Sequence, residues 1–249
     1  MPVALVTAGH NRMGQGVARC LIDLGWHVVL AGSESTQMEE IVKELGGGAS
    51  VSIKTLECTD LEDCKRIAAE VVKEHGGIDG LVNLGSGQRR LGIPRNEFVA
   101  SKPAEWQKII DGNLRAVMNS CYAALPYMIE AKKGGTIVNM TANKGLRGGP
   151  NNAIYSAAKA GVVRFGQALA QEVGEHKIRV NAVTPGAMES PGKSASEPSG
   201  KGTEVEQKSP LGRPTAMREL GDMIAFLLSD EADFITGNCL DCSGGVALH

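Results

Sequence analysis

The 249-residue sequence lacks a long hydrophobic run and an excess of charge of either sign. No apolar stretch approaches the roughly 20 residues that a membrane-spanning helix needs. The formal net charge of -2 at pH 7 argues against a protein that binds nucleic acid or a membrane surface. The first residues, MPVALVTAGH, do not combine a basic segment, an apolar core and a small-residue cleavage site. We therefore expect a cytoplasmic protein.

The sequence also lacks the clustered cysteines of a metal site. Its six cysteines are scattered, and only Cys239 and Cys242 form a Cys-x-x-Cys pair. This spacing is found in redox pairs and zinc sites, but no second pair or histidine cluster completes a metal site. In the strand predicted here, an offset of three residues points the two side chains to opposite faces. We expect ordinary buried thiols and no metal ion.

The chain instead shows an alternation of short β-branched runs with longer helical patterns. The runs are almost continuously apolar, which is typical of parallel strands covered on both faces. Repeated strand–helix units predict an α/β fold with a doubly wound, Rossmann-like parallel sheet in three α/β/α layers. The predicted strands are 3–6, 27–30, 50–56, 80–83, 135–140, 179–183 and 238–242. The predicted helices are 14–24, 36–45, 61–75, 103–131, 152–175 and 217–230.

The segment 186–210 breaks this alternation because it is rich in Gly, Ser, Pro and charge. It is too long for an ordinary connection in a compact domain, so we expect a functional lid or a disordered loop. We predict one domain over 1–249 with a flexible substrate loop at 187–209. Few large apolar residues occur there, and a polar substrate is favoured by three lysines, Lys193, Lys201 and Lys208.

The first strand leads through a short turn into a helix in VALVTAGHNRMGQGVARC. Backbone N–H groups at such a helix N-terminus favour a pyrophosphate. A lone glycine-rich turn is a weak signal, because a tight strand–helix connection has the same composition. At the first strand of a doubly wound sheet, dinucleotide binding is the better interpretation.

Tyr155 and Lys159 lie four residues apart, a spacing that stacks both side chains on one helix face. Asn113 in IIDGNLRAV precedes them, and Pro185 and Gly186 in VNAVTPG follow. In this combination the whole chain resembles the short-chain dehydrogenase/reductase family, as a divergent member similar to its 3-oxoacyl-carrier-protein reductases.

The resemblance implies that the first turn binds a dinucleotide. The family's T-G-x-x-x-G-x-G has the length of Thr7 to Gly14, but Ala8 and Arg12 replace two of its glycines. Gly9 and Gly16 flank the motif and are expected to supply some of the missing room. The expected cofactor-binding residues are Thr7, Gly9, Asn11, Arg12, Met13, Gly14, Ser33, Glu57, Asn83, Tyr155, Lys159, Pro185 and Gly186.

The end of the second strand indicates which cofactor is preferred. In relatives that prefer NAD, an acid at this point holds the adenine ribose, whereas this chain has Gly32 followed by Ser33. No acid at position 32 repels a 2′-phosphate, although Glu34 is close, and Arg12 is a candidate partner for that phosphate. NADP(H) is therefore favoured over NAD(H). Glu57 matches an acid beside the adenine amino group, and a solvated strand-end charge is the alternative interpretation.

The resemblance implies an NAD(P)-dependent oxidoreductase that moves a hydride between the nicotinamide and a carbonyl or secondary alcohol carbon. It assigns Tyr155 as general acid/base. Lys159 would lower the phenol pKa from about 10 toward neutrality and hold the nicotinamide ribose. Asn113 matches the residue that holds a water in the family's proton relay.

The family's fourth catalytic residue, a serine thirteen positions before the tyrosine, is Ala142 in this chain. Loss of one such donor typically costs about 2–4 kcal/mol of transition-state stabilisation. Ser86 and Asn143 are candidate replacements that could face the substrate, whereas Thr141 is expected to face away. The alternative function is a catalytically impaired, cofactor-binding sensor or scaffold.

Arginines border the predicted site and favour a small-molecule substrate that is anionic or carrier-linked, although a solvated basic loop is the alternative interpretation of each one. They are Arg147 and, after the fourth strand, Arg89, Arg90 and Arg95. The resemblance also implies a homotetramer or homodimer built through residues 103–131 and 152–175 and the last strand. We expect no nucleic-acid or membrane partner.

Overall fold

The computed structural model describes residues 1–85, 91–189 and 209–246. Its seven strands form one parallel sheet in the order β3-β2-β1-β4-β5-β6-β7. The predicted doubly wound α/β fold is therefore confirmed. The strands are β1 (Val3–Thr7), β2 (His27–Gly32), β3 (Val51–Thr55), β4 (Gly80–Asn83), β5 (Gly135–Met140), β6 (Ile178–Pro185) and β7 (Cys239–Cys242).

The helices follow the predicted alternation with two differences. The predicted helix 103–131 is interrupted by a π-helical turn at Asp111–Arg115, and a short helix after β5 was not predicted. The helices are α1 (Arg12–Asp23), α2 (Ser35–Glu44), α3 (Leu61–His75), α4 (Pro103–Ile110), α5 (Ala116–Ala131), α6 (Asn143–Arg147), α7 (Ala153–Val173) and α8 (Met217–Leu228).

The sheet separates two hydrophobic cores, and neighbouring residues of β1 point to different ones. Leu5 packs with residues of α3, α5 and α7, and Val6 packs with residues of α1, α2 and α8. Because both faces are covered, the strands are apolar at nearly every position. This explains why the runs in the sequence are continuous rather than alternating.

The strand order reverses at β1, which has β2 on one side and β4 on the other. Such a reversal opens a crevice at the carboxyl ends of the strands. A row of buried polar side chains crosses these ends in register, from Thr7 through Asn83 to Asn139. Thr7 Oγ1 donates to Asn83 Oδ1 at 2.8 Å, and Asn83 Nδ2 donates to Asn139 Oδ1 at 2.9 Å. Side-chain hydrogen bonds therefore join three neighbouring strands at the crevice.

The predicted substrate loop at 187–209 lies largely outside the described residues, and so do Lys193, Lys201 and Lys208. Thr215 holds the chain just before it, since Thr215 N donates to Ala187 O at 2.7 Å and Glu189 N donates to Thr215 O at 3.0 Å. In the described ranges, no helix is long and apolar enough to span a bilayer.

The Cys-x-x-Cys pair lies in β7, and all six cysteines are free thiols. Cys239 Sγ lies 3.5 Å from Thr184 Oγ1, and Cys242 Sγ donates to the Glu219 carbonyl of α8 at 3.8 Å. Both side chains are half-buried rather than buried as predicted, because β7 is the last strand of the sheet.

Candidate active site

Asn11 organises the turn between β1 and α1. Its side-chain oxygen accepts hydrogen bonds from the backbone N–H groups of Met13 at 2.8 Å and Gly14 at 3.2 Å, and its Nδ2 donates to the Ala8 carbonyl at 2.7 Å. Asn11 is thus a helix N-cap. Two of the N–H groups that we expected to bind pyrophosphate are therefore already hydrogen-bonded within the protein.

The glycines of the turn are required by close packing. A Cβ atom on Gly14 would overlap the carbonyl group of Gly9, and one on Gly9 would lie 2.9 Å from Val6 O. Gly16 does not supply room in the turn, since a Cβ there would lie 2.9 Å from Met217 O at the start of α8. Ala8, which replaces a family glycine, adopts a left-handed backbone with φ of 52°. The turn keeps the conformation that favours glycine while carrying an alanine.

A cavity of about 450 Å³ lies over the carboxyl ends of β1 to β4. Its volume is within the range of about 300–1,000 Å³ that is common for small-molecule sites. Of the predicted cofactor residues, Thr7, Ser33 and Glu57 line it. Residues that our sequence reasoning missed also line it, among them His10, Gln37, Cys58, Gly85 and Leu91.

Arg12 does not lie where the sequence argument placed it. It is the first residue of α1, exposed, and it lines a different cavity of about 240 Å³ together with Arg19, Glu189 and Arg218. At the first helical position its side chain projects outward from the turn. The expected pairing of Arg12 with a 2′-phosphate beside Ser33 is therefore not supported by the geometry.

Glu57 and Asn83 are both engaged with neighbouring residues. The Glu57 carboxylate accepts hydrogen bonds from Thr59 N at 3.0 Å and from Thr59 Oγ1 at 2.7 Å, at the edge of the cavity. Asn83 is buried and belongs to the polar row described above. Of the two residues, Glu57 is the one that lines the cavity.

Tyr155 and Lys159 lie on the first turns of α7, with the Lys159 ammonium 5.9 Å from the centre of the Tyr155 ring. Lys159 is 2% exposed, and its Nζ donates to the Met140 carbonyl at 3.1 Å. A Cβ atom on Gly85 would lie 3.0 Å from Lys159 Nζ. Because Gly85 lines the cavity of about 450 Å³, Lys159 adjoins that cavity at the end of β4.

The protonation of this pair differs from our expectation. Burial raises the pKa of the Tyr155 phenol, and the positive charge of Arg95 opposes that shift. Burial lowers the pKa of Lys159 to about 8. In the protein by itself, the lysine does not bring the phenol pKa toward neutrality, because desolvation of the phenol dominates and the ammonium is directed at the Met140 carbonyl.

Asn113 lies fully buried in the π-helical turn between α4 and α5. Its Nδ2 donates to the Ile109 carbonyl at 2.9 Å, while its Oδ1 is buried without a hydrogen-bond partner among the residues that the structure describes. π-Helical turns are frequent at functional sites. The predicted relay residue therefore presents an unused acceptor in the interior.

No side-chain donor lies at position 142, where the family is expected to carry a serine. Ala142 caps α6 without a side-chain hydrogen bond, and Thr141 Oγ1 turns away to donate to the Lys159 carbonyl at 2.8 Å. Asn143, the first residue of α6, has a buried Oδ1 with no partner in ranges 1–85, 91–189 and 209–246. Of the two predicted replacements for the serine, Asn143 is the one that lies within the described residues. The other, Ser86, lies outside the described residues, as do Arg89 and Arg90.

The remaining predicted residues lie around this centre. Pro185 ends β6, and Gly186 N donates to Cys242 O at 3.2 Å, so both mark the carboxyl end of β6. Arg147 is the exposed last residue of α6. Arg95 is exposed and acts on Tyr155 through its charge.

One role that the sequence prediction missed could have been read from the sequence. An asparagine immediately before a helix is a preferred N-cap, so the role of Asn11 was readable from the sequence. The contribution of His10 was not, because it depends on a contact across two strand ends.

Known proteins that resemble this chain over nearly its whole length are reductases. The family model described as "Enoyl-(Acyl carrier protein) reductase" matches residues 7–247. The 3-oxoacyl-[acyl-carrier-protein] reductase FabG of Thermotoga maritima is 32% identical over 248 residues, which cover 99% of this chain and 98% of the relative. The enzymes of the same name from Chlamydia muridarum and Staphylococcus aureus are 33% and 34% identical over 250 residues. Those alignments cover 98% of this chain and 96% and 98% of the relatives.

Proposed function

Because the chain belongs to the short-chain dehydrogenase/reductase family and is an oxidoreductase of that family, we propose that it is an NADP(H)-preferring reductase of 3-oxoacyl groups. The bound nicotinamide supplies or accepts the hydride at the carbonyl or alcohol carbon. The observation that carries the proposal is the position of Lys159 Nζ beside Gly85, which joins the buried Tyr155–Lys159 pair to the cavity at the strand ends.

The residues of the cavity fit a dinucleotide. Gly32 and Gly85 line the cavity at the ends of β2 and β4, and a Cβ atom on them would meet His10 and Lys159, respectively. Ser33 and Glu57 would hold the adenosine, and Lys159 would hold the nicotinamide ribose. An acyl carrier substrate is suggested by the names of the relatives and by two exposed cations, Arg95, whose charge acts on Tyr155, and Arg147 at the end of α6.

Tyr155 has the central chemical role in this proposal. Its phenol, kept protonated by burial, donates a proton to the substrate oxygen in reduction and takes it back in oxidation. Lys159 lies on the buried side of the Tyr155 ring and orients the phenol for this proton transfer. Asn113 Oδ1 provides an acceptor for a proton relay. Asn143 is the proposed second donor to the substrate oxygen.

A panel of carbonyl compounds tests the proposal, with acetoacetyl thioesters and simple ketones offered with NADPH and with NADH. Turnover that disappears in Tyr155→Phe is expected, and Tyr122→Phe, at an exposed tyrosine of α5, is the matched control. Turnover that survives Tyr155→Phe would contradict the mechanism. Tight NADPH binding without turnover would favour the sensor or scaffold instead, which the lack of a donor at Ala142 already motivates.

We also propose a homodimer or homotetramer built through α4, α5, α7 and β7. α5 exposes Met118 and Tyr122, which are 43% and 63% accessible, as expected for a helix that packs against a second copy. A single domain over 1–249 and a cytoplasmic location remain predictions of the sequence.

A further inference from the structure

We propose that His10 selects the cofactor: its imidazole binds the phosphate on the adenosine 2′ position and occupies the space that an acid at position 32 would need. The inference rests on the proposed function, since it concerns the cofactor of that reaction. It replaces the role that the sequence argument gave to Arg12.

The first observation is the contact between His10 and Gly32. A Cβ atom on Gly32 would fall far inside 3.0 Å of His10 Nδ1 and would lie 3.1 Å from its Cγ. Real Cβ atoms essentially never approach another atom so closely. With the ring in this place, no side chain fits at position 32. An acid at position 32 would therefore require the His10 ring to move.

The second observation is the wall of the cavity of about 450 Å³ at the end of β2. His10, Gly32, Ser33, Glu34 and Gln37 line it side by side. His10 Nδ1 is buried against Gly32, while the residue as a whole is half-exposed, so the rest of the ring borders the cavity.

The chemistry of this wall suits a phosphate. The imidazole N–H, the Ser33 hydroxyl and the Gln37 amide are all hydrogen-bond donors. Glu34 is the opposing charge on this wall, and it is exposed to solvent, which weakens its repulsion of an anion. Arg12 lines the other cavity and does not compete for the role.

Binding titrations test the assignment without any turnover. The dissociation constants of NADPH, NADH, adenosine 2′,5′-bisphosphate and 5′-AMP are measured by calorimetry for the wild type, His10→Ala and Arg12→Ala. We expect His10→Ala to weaken NADPH and the bisphosphate about 10-fold, the effect of one hydrogen bond to a charged group, and to leave NADH and 5′-AMP nearly unchanged. A larger loss in Arg12→Ala than in His10→Ala would overturn the assignment.

The contact with Gly32 predicts a non-additive pair of substitutions. Gly32→Asp alone should lose affinity for both dinucleotides, because the new carboxylate collides with the imidazole. The double variant His10→Ala/Gly32→Asp should bind NADH at least about 10-fold more tightly than Gly32→Asp does. Equal NADH affinity in the single and double variants would show that the ring does not exclude a side chain.

The controls separate this inference from the proposed function. If the wild type binds neither dinucleotide, the proposed function fails. If it binds NADPH but His10→Ala keeps the same NADPH-to-NADH ratio, only the role of His10 fails. Should His10→Ala not fold, as judged by thermal denaturation, His10→Gln retains a donor of similar length and should retain part of the preference. Loss of NADPH binding to the level of NADH in a folded His10→Gln would contradict hydrogen bonding as the mechanism.

Discussion

The ammonium nitrogen of Lys159 donates a hydrogen bond to the carbonyl oxygen of Met140 at 3.1 Å, which ties α7 to the end of β5 through a buried cation. Lys159 is one of the largest fully buried side chains among the described residues. Burying a charged group in this way is unfavourable for folding, so its presence here points to a role in function.

The first prediction concerns the free-energy cost of burying Lys159. Burial lowers the Lys159 pKa from 10.5 to about 8, so the folded protein holds this proton more weakly than the unfolded chain does. The free-energy cost of burying the charged Lys159 is therefore complete below pH 8, and it disappears as the pH rises from 8 toward 10.5. Lys159→Met should therefore raise the free energy of unfolding at pH 7 by up to about 3 kcal/mol, at about 1.4 kcal/mol per pKa unit.

Denaturant titrations at pH 7 and pH 9.5 measure this effect, with Lys73→Met on the exposed surface of α3 as the control. The advantage of Lys159→Met over the wild type should shrink at the higher pH. A variant that is less stable than the wild type at pH 7 would show that the hydrogen bond to Met140 outweighs desolvation.

A second prediction follows from the left-handed backbone of Ala8. Glycine adopts a φ of 52° without the cost of about 1–2 kcal/mol that a Cβ atom brings. Ala8→Gly should therefore be at least about 1 kcal/mol more stable than Ala4→Gly, which removes a buried methyl group from β1 in ordinary extended backbone. Thermal or urea unfolding of both variants decides the matter, and equal destabilisation would refute the argument.

Ala142→Ser restores the hydroxyl that the family carries. If Asn143 only partly replaces it, turnover of a simple ketone should rise, with an upper limit of about 10²–10³ for one donor to the reacting oxygen. The backbone of residue 142 is extended, with φ of -159°, and it precedes α6, so the serine should also cap that helix.

Steady-state kinetics of Ala142→Ser, with Ala142→Gly as a control without a hydroxyl, distinguish the outcomes. A fall in turnover with unchanged NADPH affinity would mean that position 142 is shaped for one particular substrate. A companion variant, Asn143→Ala, should then lose activity if the amide is the substitute donor.

The stability of the protein should also decline in mild acid. The rings of His27 and His75 lie 4.1 Å apart, and burial and the neighbouring His27 lower the His75 pKa. The folded state thus binds the proton less readily than the unfolded chain, and stability falls as the pH drops below about 6.5. His75→Phe should flatten the decline between pH 6.5 and 5, while His176→Phe should not. Unfolding curves across this range provide the measurement.

Assembly gives a further prediction. Tyr122→Glu places a charge on the exposed face of α5 and should shift the protein toward smaller species in sedimentation at micromolar concentration, because burying an unpaired charge is costly. Leu24→Glu, at an equally exposed apolar residue outside the proposed contact helices, is the control. If Tyr122→Glu sediments as the wild type does, α5 is not part of the interface.

The strands and the placement of Tyr155 and Lys159 on one helix could be predicted because their signals are local. Continuous apolar runs specify buried parallel strands, and the four-residue spacing of Tyr155 and Lys159 specifies a shared helix face. The pKa shifts of Tyr155 and Lys159 could not be predicted from the sequence, because they depend on how deeply the packing of the whole domain buries both residues.

Features that depend on contacts between distant segments were missed or misplaced. Arg12 looked like a phosphate ligand until the direction of α1 was known, and His10 meets Gly32 only because β1 and β2 end side by side. The π-helical turn was hidden because its residues continue one uninterrupted helical pattern.

The π-helical turn at Asp111–Arg115 also accommodates one extra residue between α4 and α5. A π-helical turn holds one residue more than an α-helical turn would, and each residue of an α-helix rotates the following side chains by about 100°. In an uninterrupted α-helix the extra residue would turn Val117, Cys121 and Ala124 of α5 away from the sheet, whereas the wide turn absorbs it and keeps them facing the core. Deleting one residue from Asp111–Arg115 should therefore leave this side of the interior in place and remove the wide turn that carries Asn113.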